Sequence, residues 1–222
     1  VLIRRLEKAY LKERLPLPPI VLDDGLLNSF YPQDRPLGVA LFKEREREAA
    51  IVKAFIEKYK LPKNTDKIIV ISPENILDEV AKKGALLPPL YLEDYLKEIT
   101  EPTFFHEFFH SLTGSKQITD RLVAALTSSK KYGAVKQLMT PLFLGREASD
   151  EVLVQEFMAI ALSYGVFRGW GKFVLLEVEK HIAPTLWSLL NNNNIPGLEE
   201  FLKAQFKGYP NMGLKRVSSP IL

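Results

Sequence analysis

The sequence predicts an α+β fold that is mostly helical and has one small sheet. Apolar residues recur at helical spacing along most of the chain, whereas one stretch has the clear pattern of a strand. That stretch, Lys67–Ser72, is rich in β-branched residues and lies between turn-forming residues, so we expect a buried central strand. A chain of 222 residues is long enough for one sizeable core. We therefore expect one domain over residues 1–222, with residues 1–60 as an N-terminal helical lobe and residues 165–222 as a C-terminal helical extension.

The charge balance narrows the classes of partner. The chain has 30 basic and 27 acidic side chains, which are interspersed and give a net charge of +3. This balance does not favour a nucleic-acid partner, although a local basic patch at Lys130, Lys131 and Lys136 keeps that class open. No apolar run is long enough to span a bilayer, and residues 1–15 have a charged, helix-like pattern that is unlike a signal peptide. We expect a soluble protein that binds no membrane, and we favour the cytoplasm as its compartment.

The first sixty residues are expected to supply helices and one edge element. Helical spacing of apolar residues over residues 1–14 predicts a helix that the following prolines end. Residues 20–38 are punctuated by Pro, Asp and Gly, which predicts a loop or an edge strand. A helix is then expected from about Pro36 or Leu41 to Lys60, because an apolar stripe follows a run of alternating charges.

The sequence beyond the central strand predicts helices separated by proline and glycine. Residues 85–92 are apolar but broken by prolines, so they can form an edge strand at most. A serine or an aspartate, Ser149 or Asp150, is expected to cap the helix that follows it. Helices are expected over residues 73–83, 93–99, 103–112, 119–129, 132–144 with a break at Pro141, 151–162, 173–190 with an interruption at Pro184, and 199–206.

One of these helices carries two of the three histidines in the chain. It contains the pattern His-Glu-x-x-His at residues 106–110. Residues four apart lie on one face of a helix, so His106 and His110 can present two imidazole nitrogens to one metal ion. Glu107 projects beside them, toward a metal-bound water. This arrangement is typical of a zinc hydrolase, because the imidazoles bind the ion and the carboxylate accepts a proton from the water.

A purely structural interpretation of the same helix is also available. Its two histidines could be core residues, since Phe104, Phe105, Phe108 and Phe109 surround them and are expected to pack in the core. Against that interpretation, charge-capable side chains that are buried side by side need partners. We therefore favour a metal site, with the aromatic residues as core packing around it.

The third ligand must be a histidine or a carboxylate, because the chain has no cysteine. A third histidine six residues beyond His110 is absent, since Lys116 occupies that position. Two glutamates remain on the apolar helix farther along the chain, Glu151 and Glu156. Apolar residues flank Glu156 at helical spacing, whereas Glu151 lies in the first turn and complements the helix dipole. We favour Glu156 over Glu151 as the third ligand, and both over His181.

The pattern His-Glu-Phe-Phe-His with a later glutamate helix resembles the gluzincin branch of the zincin metallopeptidases. With the following Ser-Leu-Thr-Gly and the later Glu-Val-Leu-Val-Gln-Glu, it is similar to the metallopeptidase domains of phage and plasmid polyvalent proteins and of antirestriction proteins. The similarity covers about residues 100–165. The chain departs from these proteins at Val152, where they often have a second glutamate, which leaves the choice between Glu151 and Glu156 open.

The resemblance implies a zincin-like fold with a small sheet and an active-site helix. It also implies a zinc-dependent endopeptidase in which His106, His110 and Glu156 bind Zn²⁺. Glu107 would be the general base, and the substrate would be a peptide or a protein. In such peptidases the edge strand before the motif helix pairs with an extended substrate, a role expected here for residues 85–92.

Other assignments stay open at this point. Tyr164 and Tyr132 are candidates, on position alone, for the donor that stabilises the oxyanion. The alternative function is a zinc-containing binding protein without proteolytic activity, either antirestriction-like or associated with nucleic acid. A third alternative is a helical scaffold with a fortuitous motif, which would bind no metal. The oligomeric state is not predicted.

Overall fold

Helices predominate in the computed structural model of the chain, which describes residues 18–84, 92–143, 147–167 and 179–192. A three-stranded sheet is formed by β1 (Ile20–Leu22), β2 (Gly38–Phe42) and β3 (Lys67–Ile71). The helices are α1 (Gly25–Phe30), α2 (Glu46–Tyr59), α3 (Pro73–Gly84), α4 (Leu92–Thr113), α5 (Lys116–Thr127), α6 (Tyr132–Met139), α7 (Asp150–Phe167) and α8 (Ala183–Asn192), with a 3₁₀ turn at Thr140–Phe143. The predicted α+β class with a majority of helix is confirmed.

β3 is the central strand of the sheet, as its β-branched sequence predicts. It pairs in parallel with β1 and antiparallel with β2, so the strand order is β1-β3-β2. All of its residues except Lys67 are buried. β1, at one edge of the sheet, agrees with the edge strand expected within residues 20–38.

β2 takes the place of the start of a predicted helix. The helix expected from Pro36 or Leu41 begins at Glu46, and the residues before it form a strand. This strand pairs antiparallel with β3 along its whole length, and its last three residues are buried. The free energy gained when these apolar side chains are buried on the sheet exceeds the preference for continuing the following helix through them. The first sixty residues therefore supply two of the three strands as well as helices.

The sheet separates two hydrophobic clusters, because successive side chains on a strand point to opposite faces. Ile68 and Val70 pack in a cluster to which α2 contributes Phe55. Ile69 and Ile71 belong to a larger cluster, which includes side chains of α4 and α7. The alternation along β3 thus places α4 against one face of the sheet, where it also contacts β2.

The motif lies on a longer helix than predicted. α4 runs without a break through Pro102, whereas the sequence predicts one helix that ends before this proline and another that begins at Thr103. Proline removes one N–H from the helical ladder. Nearby hydroxyls add bonds to the preceding turn, since Thr103 donates to the carbonyl of Ile99 at 2.8 Å and Thr100 donates to that of Leu96 at 2.7 Å. Tertiary packing of both halves against the same core keeps the helix continuous.

Serine side chains cap two of the helices that surround the motif helix. Ser115 accepts a hydrogen bond from the N–H of Ile118 at 3.4 Å, so α5 begins before the predicted Thr119. Ser149, one of the two predicted caps of α7, accepts a hydrogen bond from the N–H of Val152 at 3.3 Å. The start of α7 is thus set by a residue type that the sequence analysis identified.

Several predicted elements lie outside the described residues. These are the helix over residues 1–14, the edge strand over residues 85–92 apart from its last residue, and the helix over residues 199–206. Within the helix expected over residues 173–190, residues 179–182 form turns instead, and α8 begins at Ala183 with Pro184 in its first turn, where proline is tolerated. None of the helices in the described part of the chain is long and apolar enough to cross a membrane.

Candidate metal centre

The motif helix α4 and the glutamate helix α7 pack together in the larger hydrophobic cluster. Phe104, Phe105, Phe108 and Phe109 of α4 are buried there, as is Phe157 of α7. The rings of Phe108 and Phe109 meet edge to face with their centroids 5.3 Å apart. The aromatic residues are therefore core packing, as predicted, and they hold the two helices against each other.

Three predicted ligands converge between α4 and α7. The Nε2 atoms of His106 and His110 are 2.8 Å apart. The carboxylate of Glu156 reaches both rings, with one oxygen 3.1 Å from Nε2 of His106 and the other 3.3 Å from Nε2 of His110. Among the side chains that the structure describes, these three form the only group of His, Asp and Glu residues arranged to hold one metal ion.

The spacing of these donor atoms fits a bound metal ion. In a tetrahedral zinc site with ligand bonds of about 2.0–2.1 Å, two ligand atoms lie about 3.3 Å apart. The two separations between Glu156 and the histidines are close to this value, and the two imidazole nitrogens are somewhat closer. Two imidazoles with one carboxylate suit zinc and related divalent transition metals, and three protein ligands leave a position for water.

The metal-free group is held together by charge. Burial lowers the pKa of His106, but the carboxylates of Glu179 and Glu156 outweigh burial and raise this pKa well above its ordinary value of 6.5. Burial raises the pKa of Glu156, but His110 and His106 outweigh burial and hold this pKa well below its ordinary value of 4.5. A protonated His106 and an ionised Glu156 thus neutralise each other where either charge alone would be costly.

Glu179 is a buried carboxylate beside the site that the sequence analysis did not identify. One of its oxygens lies 2.9 Å from Nδ1 of His106, the ring nitrogen that does not face Glu156. The residue is only 3% exposed. Metal-binding histidines commonly direct their second ring N–H at such a carboxylate, which fixes the ring and increases the basicity of the ligand. No sequence pattern around Glu179 indicates this role. His181, the weaker ligand candidate two residues away, is exposed.

Glu107 lies between the metal-binding group and strand β2. Burial raises its pKa, and the charge of Glu156 adds to this effect. His110 and His106 act in the opposite direction, as does a hydrogen bond that the backbone N–H of Ala40 donates to the carboxylate. Glu107 is therefore close enough to the histidines for them to affect its pKa, and it is tied to the neighbouring strand.

No family model, curated protein or solved structure matches this chain. The resemblance to gluzincins consequently rests on the motif residues, and the zincin-like fold stays a prediction. What the structure adds independently is the approach of two helices that are distant in sequence, which brings together the three side chains predicted as ligands.

Arg45 links the end of α4 to the start of α7. Its guanidinium donates to the carbonyl of Gly114 at 2.6 Å, directly after the motif helix, and lies 3.7 Å from the carboxylate of Glu151. Gln155 also donates to Glu151, at 3.3 Å. Glu151, the second candidate for the third ligand, therefore has other partners, and it is not part of the metal-binding group. The geometry favours Glu156.

The two tyrosines suggested as oxyanion donors have other surroundings. Tyr132 donates to the carboxylate of Asp150, and burial together with this bond raises the pKa of Tyr132 to about 12. This contact joins α6 to the start of α7. Tyr164 lies eight residues beyond Glu156 on α7, which corresponds to about 12 Å along the helix axis. Neither position supports the suggested role.

A different tyrosine, Tyr31, senses the charge of Glu107. Burial raises the pKa of the Tyr31 hydroxyl, and the negative charges of Glu48 and Glu107 raise it further, while Arg45 acts in the opposite direction. Tyr31 immediately follows α1, in the region where the sequence predicts only a loop or an edge strand. No motif in the sequence connects it with the His-Glu-x-x-His helix.

Proposed function

We propose that the chain is a zinc-dependent metallopeptidase. The observation that carries the proposal is the convergence of His106, His110 and Glu156 from two helices. These side chains have the donor types and the separations of a zinc site with three protein ligands. Glu107 follows the first histidine directly, which is the position of the general base in the His-Glu-x-x-His mechanism.

Each side chain has a distinct part in the proposed reaction. His106, His110 and Glu156 would hold the ion, and Glu179 would keep the ring of His106 in its orientation. When bound, zinc lowers the pKa of a coordinated water toward neutrality and polarises the carbonyl of the scissile peptide bond. Glu107 would accept the proton that the water loses and deliver it to the leaving amine.

The environment of Glu107 supports this proton transfer. Burial raises the pKa of its carboxyl group. A group that must accept a proton in one step and donate it in the next works best when its pKa is close to the working pH. The raised pKa of Glu107 therefore moves it in the direction that both steps require.

The edge of β2 beside Glu107 is not an open strand edge. Backbone groups of its even-numbered residues turn away from β3, as the alternation of an antiparallel ladder requires. Two of the outward N–H groups already have acceptors within the protein, since Ala40 donates to Glu107 and Phe42 donates to Glu48. The proposal of a peptide substrate therefore rests on the motif chemistry and not on strand pairing.

Metal content tests the proposed ligand set. Elemental analysis of the purified protein supplied with Zn²⁺ should find stoichiometric zinc. His106→Ala and Glu156→Ala should each lose the metal, whereas Glu151→Ala, a matched change of another carboxylate on α7, should keep it. Full zinc in Glu156→Ala would remove that residue from the site, and a wild-type protein that takes up no metal would reject the proposal.

Cleavage of denatured casein tests the role of Glu107. Glu107→Gln preserves the shape of the side chain, so it should keep its zinc while cleavage falls by about 10²–10⁴-fold. Undiminished cleavage would exclude Glu107 as the general base. Stoichiometric zinc without cleavage of casein or of a mixed synthetic peptide library would favour the zinc-containing binding protein over the peptidase.

A further inference from the structure

Strand β2 approaches helix α4 at Gly38 more closely than any side chain would allow. A methyl group added to Gly38 would lie 2.9 Å from Cγ of Glu107 and 2.9 Å from Cδ1 of Ile71. It would also lie 3.0 Å from Cγ2 of Thr103. Carbon atoms in favourable contact are about 3.5–4.0 Å apart, so the added group would overlap its neighbours. The stem of Glu107 can lie across β2 only because this residue is a glycine.

The conformation of the strand does not explain this glycine. Gly38 lies in a regular antiparallel ladder, opposite Ile71, where any residue could adopt the backbone geometry. Glycine within a strand weakens it and often marks a point where another group approaches closely. A methyl group added to Gly133, by contrast, would meet no atom within 4 Å. The requirement at Gly38 is therefore one of space.

The carboxylate end of Glu107 is held by the same strand. Ala40, two residues after Gly38, directs its N–H away from β3 and donates it to this carboxylate. On α4, Thr103 lies one turn before Glu107, and its hydroxyl bond to the carbonyl of Ile99 fixes the orientation of its side chain. Glu107 is thus confined along its stem by Gly38 and Thr103 and at its carboxylate by Ala40.

We propose that Gly38 is a positioning residue for the catalytic base. The inference rests on the proposed function, because that function makes Glu107 the base. Gly38 acts by leaving the volume that the stem of Glu107 occupies, so that the carboxylate reaches Ala40 and stays beside the histidines. None of the three atoms nearest to an added methyl group belongs to His106, His110 or Glu156. A side chain at position 38 displaces the base and leaves the metal ligands in place.

Kinetics of Gly38→Ala test the positioning role. Zinc-loaded Gly38→Ala should cleave fluorescein-labelled casein with kcat lowered by about 10²-fold, because displacement of a reacting group by about an ångström has that effect. Its KM and its zinc content should not change, which is the split that a purely structural role does not produce. Gly133→Ala is the matched control and should behave as wild type. An unchanged kcat in folded, zinc-loaded Gly38→Ala would overturn the inference.

A second experiment tests the contact without metal or activity. In the presence of EDTA, Gly38→Ala should lower the melting temperature of the wild-type protein by several degrees and that of Glu107→Ala by less, because Glu107→Ala lacks Cγ, one of the three atoms that an added methyl group would overlap. Equal shifts in the two backgrounds would overturn the inference. If Gly38→Ala alone does not fold, recovery of folding in the double variant supports the contact, and failure of both variants overturns it.

These experiments separate the inference from the proposed function. A wild-type protein that binds no zinc, or that binds zinc and cleaves nothing, would reject the peptidase while the melting experiment still reports on the contact between Gly38 and Glu107. A peptidase whose kcat is insensitive to Gly38→Ala would keep its proposed function and lose the positioning residue.

Discussion

His106 is engaged by a carboxylate at each of its ring nitrogens. Nε2 faces Glu156 and Nδ1 faces Glu179, at 3.1 Å and 2.9 Å. Without metal, both carboxylates favour the protonated ring. With a metal ion at Nε2, Glu156 would be a second ligand of the same ion, and the negative charge of Glu179 would favour a proton on Nδ1. His106 thus takes part both in the charge balance among these side chains and in the proposed ligand set.

Glu179 should strengthen metal binding without contacting the metal. We expect Glu179→Gln to weaken zinc binding by about 10–100-fold, because the amide keeps the size of the side chain but no longer brings a negative charge to Nδ1. Competition with a chelating dye measures this change. His181→Gln, two residues away at an exposed position, serves as the control and should bind zinc as wild type does. Equal affinities for wild type and Glu179→Gln would contradict the role.

The pKa shifts of His106 and Glu156 predict how the stability of the fold depends on pH. The folded-state pKa of His106 is raised, so its contribution to the free energy of unfolding is full below pH 6.5 and is lost as the pH rises through the raised value. The folded-state pKa of Glu156 is lowered, so its contribution is full above 4.5 and is lost as the pH falls through the lowered value. For these two groups, metal-free protein is most stable between the two ordinary values.

Urea unfolding in EDTA at a series of pH values checks this expectation. As the pH rises above 6.5, the free energy of unfolding should fall in wild type and should fall less in His106→Gln, which cannot be protonated. Zinc affinity should rise over the same range, since Nε2 must lose its proton to bind the ion. A wild-type profile as flat as that of His106→Gln would show that the pKa of His106 is not raised.

Residue types predict the centre of the site but not its surroundings. His106, Glu107 and His110 form a local pattern, and Glu156 is found because a carboxylate on an apolar helix face needs a partner. Glu179 and Gly38 have no such signal. Their roles depend on which segments approach each other after folding, and the identity and spacing of neighbouring residues do not contain that information.

At the scale of helices and strands, the site depends on how α4 is held between β2 and α7. The larger cluster joins α4 to α7 through buried aromatic and aliphatic side chains. At the far end of α4, Arg45 connects the carbonyl of Gly114 to Glu151 at the start of α7. The polar contact and the apolar contacts act on the same pair of helices, so both fix the distance between the histidines and Glu156.

Removing the guanidinium of Arg45 should loosen this junction. We expect Arg45→Ala to lower the free energy of unfolding by about 1.5–3 kcal/mol, because it leaves the carbonyl of Gly114 without a charged donor. Arg47→Ala, at an exposed position in the first turn of α2, should change it by less than about 0.5 kcal/mol. Chemical denaturation of the two variants gives the comparison, and equal effects would show that the bond to Gly114 contributes nothing.

Elements with a strong local pattern are the ones that the sequence predicts. β3 is β-branched and flanked by turn residues, and α7 is capped by Ser149 and apolar over its length. β2 is missed because Gly-Val-Ala-Leu-Phe becomes a strand only by pairing with β3. The continuity of α4 is missed because the local effect of Pro102 is outweighed by packing on both sides of it.

At the scale of the whole molecule, the proposed ligands belong to the same core that stabilises the fold. α4 and α7 are both part of the larger cluster, which extends to α8 and to one face of the sheet. Ions that bind the folded state and not the unfolded chain stabilise the fold as a whole. Metal binding at the proposed site would therefore stabilise the whole fold and not only the residues around it.

Zinc should raise the melting temperature of the protein. At a free concentration about 100 times the dissociation constant, the stabilisation is about 2.7 kcal/mol, or roughly 5–10 °C for a chain of this size. Differential scanning fluorimetry with and without Zn²⁺ measures the shift, and excess EDTA should reverse it. His110→Ala should show no shift. A zinc-dependent shift that persists in His110→Ala would place the binding site elsewhere.

Because of the position of β2, unfolding could affect the proposed base and the proposed metal ligands in separate steps. The proposed ligands lie on α4 and α7, whereas Gly38 and Ala40, which help to confine Glu107, lie on an edge strand near the start of the described chain. A partial unfolding event that detached β2 would release the base while the three ligands stayed together. Metal retention and catalytic competence would then be lost at different temperatures, with catalysis lost first.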